Sequence, residues 1–112
     1  MKPRIDPIPV ELMPDTMTVE APDASASYGG KYLEPVTVEH VRYERAEALN
    51  PSAIKLADGA SGRIWVDAVN SAGAFRIPSG SKITLNGDTL HVVSCVELRP
   101  FGTVHHWEVD VK

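Results

Sequence analysis

Alternation of apolar and polar residues from Gly80 onward is the feature that most constrains the fold of this chain. Such a period of two is what a strand with one buried face requires. The apolar positions are Ile83 and Leu85, Leu90 and Val92, and Trp107, Val109 and Val111. Between the first two segments, Asn86-Gly87 supplies the positive backbone φ angles of a type I′ hairpin turn. The pattern predicts a β-meander within an all-β fold.

Three earlier segments, residues 16–20, 35–45 and 63–69, also have strand character. In the second, Val36 and Val38 share one face, whereas Val41 and Tyr43 fall on the other. A β-bulge near Glu39-His40 would restore the register. Five or six strands joined by long loops predict a small antiparallel β-barrel or sandwich.

The first fifteen residues contain Pro3, Pro7, Pro9 and Pro14. Because proline fixes φ and lacks a backbone donor, this stretch is predicted to be an extended N-terminal arm, residues 1–15. Residues 16–112 then form one barrel-like domain. Long loops are expected at 22–34 and 70–80, one helical turn within 45–49, and a turn at 58–62.

The composition disfavours several classes of protein. A formal net charge of −4 argues against a nucleic-acid-binding surface, which is normally basic. No apolar run approaches the roughly 20 residues that span a bilayer, and the N-terminus does not resemble a signal peptide. A single cysteine, Cys95, fits a reducing cytoplasm, and we expect it to be a small core residue.

No catalytic or metal-binding constellation is predicted. Adjacent histidines on a strand point to opposite faces, so His105 and His106 are not expected to ligate one ion together. His91 and Cys95 share a parity but would lie about 13 Å apart, too far for one zinc ion. No nucleophile elbow or phosphate-binding glycine loop occurs. We therefore predict no metal, no cofactor and no enzymatic activity.

Four carboxylates, those of Asp58, Asp67, Glu108 and Asp110, could meet across a sheet. We interpret them as part of a solvated strand face.

The two tryptophans are predicted to differ. Trp107 shares parity with Val109 and Val111 and is expected in the core. Trp65 lies opposite Ile64 and Val66, which fits either a partner contact or a barrel with both faces covered.

Taken together, the strand and turn patterns resemble those of the minor capsid, or head–tail connector, proteins of tailed bacteriophages and prophages. The resemblance spans most of the chain. The segments that carry it are Thr16-Met-Thr-Val-Glu20 with Tyr28-Gly-Gly, Val36-Thr-Val-Glu-His-Val-Arg-Tyr43, Gly80-Ser-Lys-Ile-Thr-Leu-Asn-Gly-Asp-Thr-Leu-His-Val92 and His105-His-Trp-Glu-Val-Asp-Val111.

The resemblance implies a structural virion protein of the neck, assembled in the host cytoplasm. Such a protein forms a ring below the portal and its adaptor, closes the DNA channel and offers a surface to the tail. A tail-completion or tail-terminator protein is the alternative, and a stand-alone barrel that binds oligosaccharide or nucleic acid is a third class.

The implied partners are portal or adaptor rings, tail proteins and further copies of the chain. DNA would pass through without specific binding, and no membrane is involved. Subunit contacts are expected from residues 1–14, 22–34 and 70–80. The individual contact residues expected are Trp65, Tyr28, Tyr32, Phe75 and Arg76.

Overall fold

Six antiparallel strands close into a barrel in the computed structural model, which describes residues 5–25, 31–49 and 54–112. The strands are Asp15–Glu20 (β1), Val36–Arg45 (β2), Gly62–Asp67 (β3), Lys82–Leu85 (β4), Asp88–Leu98 (β5) and His106–Val111 (β6). Their order around the barrel is β1-β2-β3-β6-β5-β4, and β4 pairs again with β1. The predicted all-β antiparallel class is therefore confirmed as a closed barrel.

The hairpin between β4 and β5 turns at the predicted residues. Asn86 has φ 51° and Gly87 has φ 84°, the two positive angles that a type I′ turn requires. Ile83 pairs with Leu90 on the inner face, as the alternation on either side of the turn predicts.

The predicted bulge in β2 is present. Met17 pairs with Val38 and Asp15 with Val41, so β2 carries one more residue than β1 over the same span. His40 has φ 56°, and both Val38 and Val41 are fully buried. The extra residue therefore allows valines of opposite parity to face one core.

A second bulge, in β5, was not predicted from the sequence. Val92 pairs with Val111 and Ser94 with Asp110, so β5 gains a residue between them. Beyond the bulge Cys95 packs against the core, whereas His91 is exposed. The prediction that His91 and Cys95 share a face is wrong, because the bulge inverts the parity. Cys95 itself lies against the core, as expected, but is only half-buried.

The core is built mainly from the inner faces of the strands. Trp107 is 8% exposed and belongs to the core, which confirms its predicted face. Two fully buried hydrophobic residues of the described segments come from outside the strands: Met13, just before β1, and Ile77, between β3 and β4. The predicted loop at 70–80 is thus irregular in backbone but anchored by Ile77.

The other regular elements are short. Three-residue 3-10 turns occur at Val10–Leu12, Ala46–Ala48 and Pro100–Gly102, and the second lies within the predicted helical turn. In the described segments, no helix has the length and apolar character that crossing a bilayer demands. The division into an arm at 1–15 and a domain at 16–112 stays a prediction.

Candidate subunit-contact surfaces

Trp65 occupies the outer face of the barrel on β3. In the strand register it lies between Arg42 of β2 and Glu108 of β6. Its side chain is half-buried, so part of the indole remains accessible. We call Arg42, Trp65 and Glu108 the Trp65 surface. An accessible aromatic between an arginine and a carboxylate has the composition of a protein interface.

An ion-paired cluster borders the Trp65 surface. Arg63 of β3 binds Asp110 of β6 through two hydrogen bonds, Nε to Oδ1 at 2.6 Å and Nη2 to Oδ2 at 3.1 Å. Its Nη1 lies 3.1 Å from Oε1 of Glu108. The hydrogen bond to Asp110 is the main cause that raises the pKa of Arg63 above its ordinary value. The cluster therefore fixes β6 to β3 from outside the core.

Asp110 and Asp67 are both buried, so the interpretation of them as a solvated strand face is wrong. Asp110 also accepts a hydrogen bond from the amide of Ala57 at 2.7 Å. These partners compensate the carboxylate for the water that it loses, because a buried charge requires hydrogen bonds or an ion pair.

Asp67 holds three segments together at the end of β3. Its Oδ1 accepts from the amide of Ile8 at 2.9 Å, and its Oδ2 accepts from the amides of Val69 at 2.9 Å and Asn70 at 2.8 Å. The sequence reasoning missed this role. An aspartate that ends a strand before a turn is the signature of an Asx turn, which would have identified the bonds to Val69 and Asn70.

The two adjacent histidines contact each other. Their Nδ1 atoms are 2.8 Å apart, and the rings stand edge-to-face with centroids 5.0 Å apart. The expectation that they point to opposite faces is wrong, because His105 precedes β6 and does not follow its alternation. Across residues 5–25, 31–49 and 54–112, no three His, Cys, Asp or Glu side chains are arranged to hold a metal ion.

Tyr32 lies beside β4, and Tyr28 falls outside the described residues. Tyr32 forms an antiparallel bridge with Pro22, and Nζ of Lys82 is 5.3 Å from the centroid of its ring, within cation–π range. Lys82 also pairs with Glu20 at 3.5 Å. We call Glu20, Tyr32 and Lys82 the Tyr32 surface.

The two contact residues expected in the 70–80 loop differ in accessibility. Phe75 packs against the core cluster, whereas the side chain of Arg76 is 66% exposed and lies 4.0 Å from Glu97. Both side chains are therefore at least partly accessible, and Arg76 is the more exposed of the two.

The Trp65 surface and the Tyr32 surface lie on opposite sides of the barrel. In the closed order, β3 and β4 are three positions apart in either direction around six strands. The structure therefore places Trp65 and Tyr32 on opposite sides of the barrel rather than in one patch, and Phe75 and Arg76 belong to neither surface.

Comparison with known proteins shows the family of the chain. No curated protein matches it. A family model described as minor capsid protein matches residues 9–111, which include all six strands of the barrel. The chain therefore belongs to the phage minor capsid protein family.

Proposed function

We propose that this minor capsid protein is a ring subunit of the head–tail connector. It sits below the portal and its adaptor, closes the DNA channel and presents a surface to the tail. The observation that carries the proposal is the position of the Trp65 and Tyr32 surfaces on opposite sides of one barrel. A closed ring needs two different surfaces on each subunit, because its neighbours meet head to tail.

The chemistry of the two surfaces supports this arrangement. Each combines a half-buried aromatic ring with a cation and a carboxylate: Trp65 with Arg42 and Glu108, and Tyr32 with Lys82 and Glu20. Aromatic residues and arginine are enriched at protein interfaces, and charged neighbours set orientation more than affinity.

The overall charge supports a channel that DNA passes without being held. A net charge of −4 repels phosphate, so the subunit has little electrostatic attraction for duplex DNA. Minor capsid proteins are virion components, and the proposed role is structural rather than enzymatic. The subunit would exist in the host cytoplasm before it joins the neck.

The partners proposed are therefore the portal or adaptor ring, tail proteins and neighbouring copies of the chain. We propose that the ring assembles when a template aligns many lateral contacts at once. A monomeric state in isolation agrees with this mode of assembly.

The test is to add the purified protein to tail-less, DNA-filled heads and to image the neck by cryo-electron microscopy. We expect a ring of density below the portal. Trp65→Ala should reduce ring occupancy without unfolding the barrel, because the indole lies on the outer face. Phe101→Ala, at an exposed aromatic side chain in the turn between β5 and β6 and outside both surfaces, is the matched control and should leave occupancy unchanged.

Two outcomes contradict the connector role. Binding to free duplex DNA at physiological salt, with no density below the portal, would refute it. Binding to tail-tube ends instead of heads would favour the tail-completion or tail-terminator alternative.

A further inference from the structure

A short turn in the segment before β1 adjoins the Trp65 surface. Residues Val10–Leu12 form this 3-10 turn, and all three of their side chains are exposed. Nη1 of Arg42, a member of the Trp65 surface, donates to the carbonyl oxygen of Leu12 at 3.3 Å. The turn therefore extends the Trp65 surface with the apolar side chains of Val10 and Leu12 and with the carboxylate of Glu11.

The barrel holds the Val10–Leu12 turn in place from both sides. Before the turn, the amide of Ile8 donates to Oδ1 of Asp67 at 2.9 Å, and the carbonyl oxygen of Ile8 accepts from Nδ2 of Asn70 at 2.8 Å. After the turn, the side chain of Met13 is fully buried. Because the turn is already fixed, a partner that covers it removes little further conformational freedom. Its exposed side chains are thus preorganised for contact.

A second projection follows β1 at the opposite end of that strand. Residues 21–23 and 31–33 form a two-stranded ribbon, called the ribbon below. The amide of Asp23 donates to the carbonyl oxygen of Lys31 at 3.0 Å, and the amide of Leu33 donates to that of Ala21 at 2.8 Å. The ribbon is therefore also a fixed structure.

The ribbon has an inner and an outer face. The ring of Tyr32 lies against Nζ of Lys82 on β4, so the Tyr32 face is turned toward the barrel. Lys31 and Leu33 alternate with Tyr32, which places both on the outer face. Both side chains are exposed, Leu33 by 51%. The outer face thus presents one aliphatic side chain beside one cation.

The Val10–Leu12 turn and the ribbon are complementary in chemistry. Leu12 is as exposed as Leu33, at 51%. Glu11 is negative where Lys31 is positive, and in the described part of the chain neither has an ion-pair partner. A contact between the two would cover both leucines and pair both charges.

The two patches are too far apart to meet within one molecule. The turn ends just before β1 and the ribbon begins just after it, and a six-residue strand such as Asp15–Glu20 is about 20 Å long. Each patch is also fixed to its own end of the barrel. The complement of the turn is therefore the ribbon of a second copy of the chain.

We propose that the Val10–Leu12 turn of one copy docks on the ribbon of the next, with Leu12 packed against Leu33 and Glu11 paired with Lys31. The inference rests on the proposed ring and names how its neighbours meet. Burial of the leucines supplies affinity, and the charge pair fixes the orientation. Because the turn and the ribbon are different surfaces, the contact is head to tail and repeats until the ring closes.

The contact is tested first by cross-linking on tail-less, DNA-filled heads that carry the ring. Leu12→Cys and Leu33→Cys are combined in a Cys95→Ala background, which lacks the single native cysteine. With a short bis-maleimide, a head-to-tail contact predicts a ladder of dimers, trimers and larger species on a denaturing gel. Either cysteine alone should give nothing larger than a dimer. Both positions are exposed, so the melting temperature should stay that of the background chain.

Charge reversal tests the pairing itself. Glu11→Lys or Lys31→Glu alone places like charges opposite each other. Each should raise the protein concentration needed for half-maximal ring occupancy about two- to fivefold, the range expected for an exposed ion pair. The double variant Glu11→Lys, Lys31→Glu should restore occupancy. The matched control combines Glu11→Lys with Lys112→Glu, an exposed lysine outside the ribbon, and should not restore it.

The outcomes separate this contact from the connector role. A ring of density without a cross-linked ladder overturns the contact and leaves the ring in place. So does a ring that neither single reversal weakens, or one that the Lys112→Glu control restores as well as Lys31→Glu does. Absence of any density below the portal overturns the connector role and this contact with it.

Discussion

Removing the guanidinium of Arg63 should destabilise the barrel far more than removing that of Arg45. Both arginines pair with an aspartate, but the side chains of Arg63 and Asp110 are only 14% and 5% exposed. Arg63→Met keeps the apolar stem and leaves Asp110 buried without its cation. Because an unpaired buried charge costs about 3–5 kcal/mol and this site is not wholly enclosed, we expect a loss of about 3 kcal/mol.

The matched control is Arg45→Met. Arg45 and Asp88 are 59% and 47% exposed, so solvent screens the pair and we expect no resolvable change. Thermal unfolding at neutral pH measures both variants. At about 4 °C per kcal/mol for a chain of this size, the melting temperature of Arg63→Met should fall by about 12 °C. Equal shifts in the two variants would refute the reasoning from burial.

Three further predictions concern the core and the turns. Trp107→Ala should cost about 3–5 kcal/mol in urea unfolding, more than Trp65→Ala, since only Trp107 is enclosed; equal losses would contradict this. Gly73→Ala should destabilise more than Gly87→Ala: both have φ 84°, but only at Gly73 would a Cβ meet a backbone atom, 2.5 Å from the carbonyl oxygen of Thr37. Equal melting temperatures of the two variants in calorimetry would contradict this prediction. Burial raises the pKa of the Cys95 thiol. The unfolded chain therefore loses its thiol proton first, at about pH 8.5, and the free energy of unfolding should fall as pH rises above that value. Cys95→Ala should lack that alkaline loss of stability, and an unchanged profile would contradict it.

The fold could be predicted from the sequence because local residue patterns determine the strands and turns. Asn86-Gly87 allows few backbone conformations other than a tight turn, and the parity change between Val38 and Val41 demanded a bulge. The bulge in β5 gave no such signal. Val92 and Val93 are consecutive valines, and either could have faced the core, so parity alone could not locate the extra residue.

The polar contacts could not be predicted in this way, because they join residues that are far apart in the sequence. Asp67 binds Ile8, and His105 binds Asp6; neither pair is near in sequence. The family resemblance was available because strand order and turn spacing extend over the whole chain. The candidate contact surfaces depend on which strands lie on opposite sides of the barrel, and a strand's position around the barrel is fixed only when the barrel closes.

The position of β6 has a consequence for the order of folding events. Although it is the last of the six strands along the chain, β6 lies between β3 and β5. A nascent chain that has not yet released residues 106–111 from the ribosome has two unpaired strand edges and no closed core. Folding to the native state must therefore follow synthesis of this segment, and shortened products lacking it would expose edges that attract other extended chains.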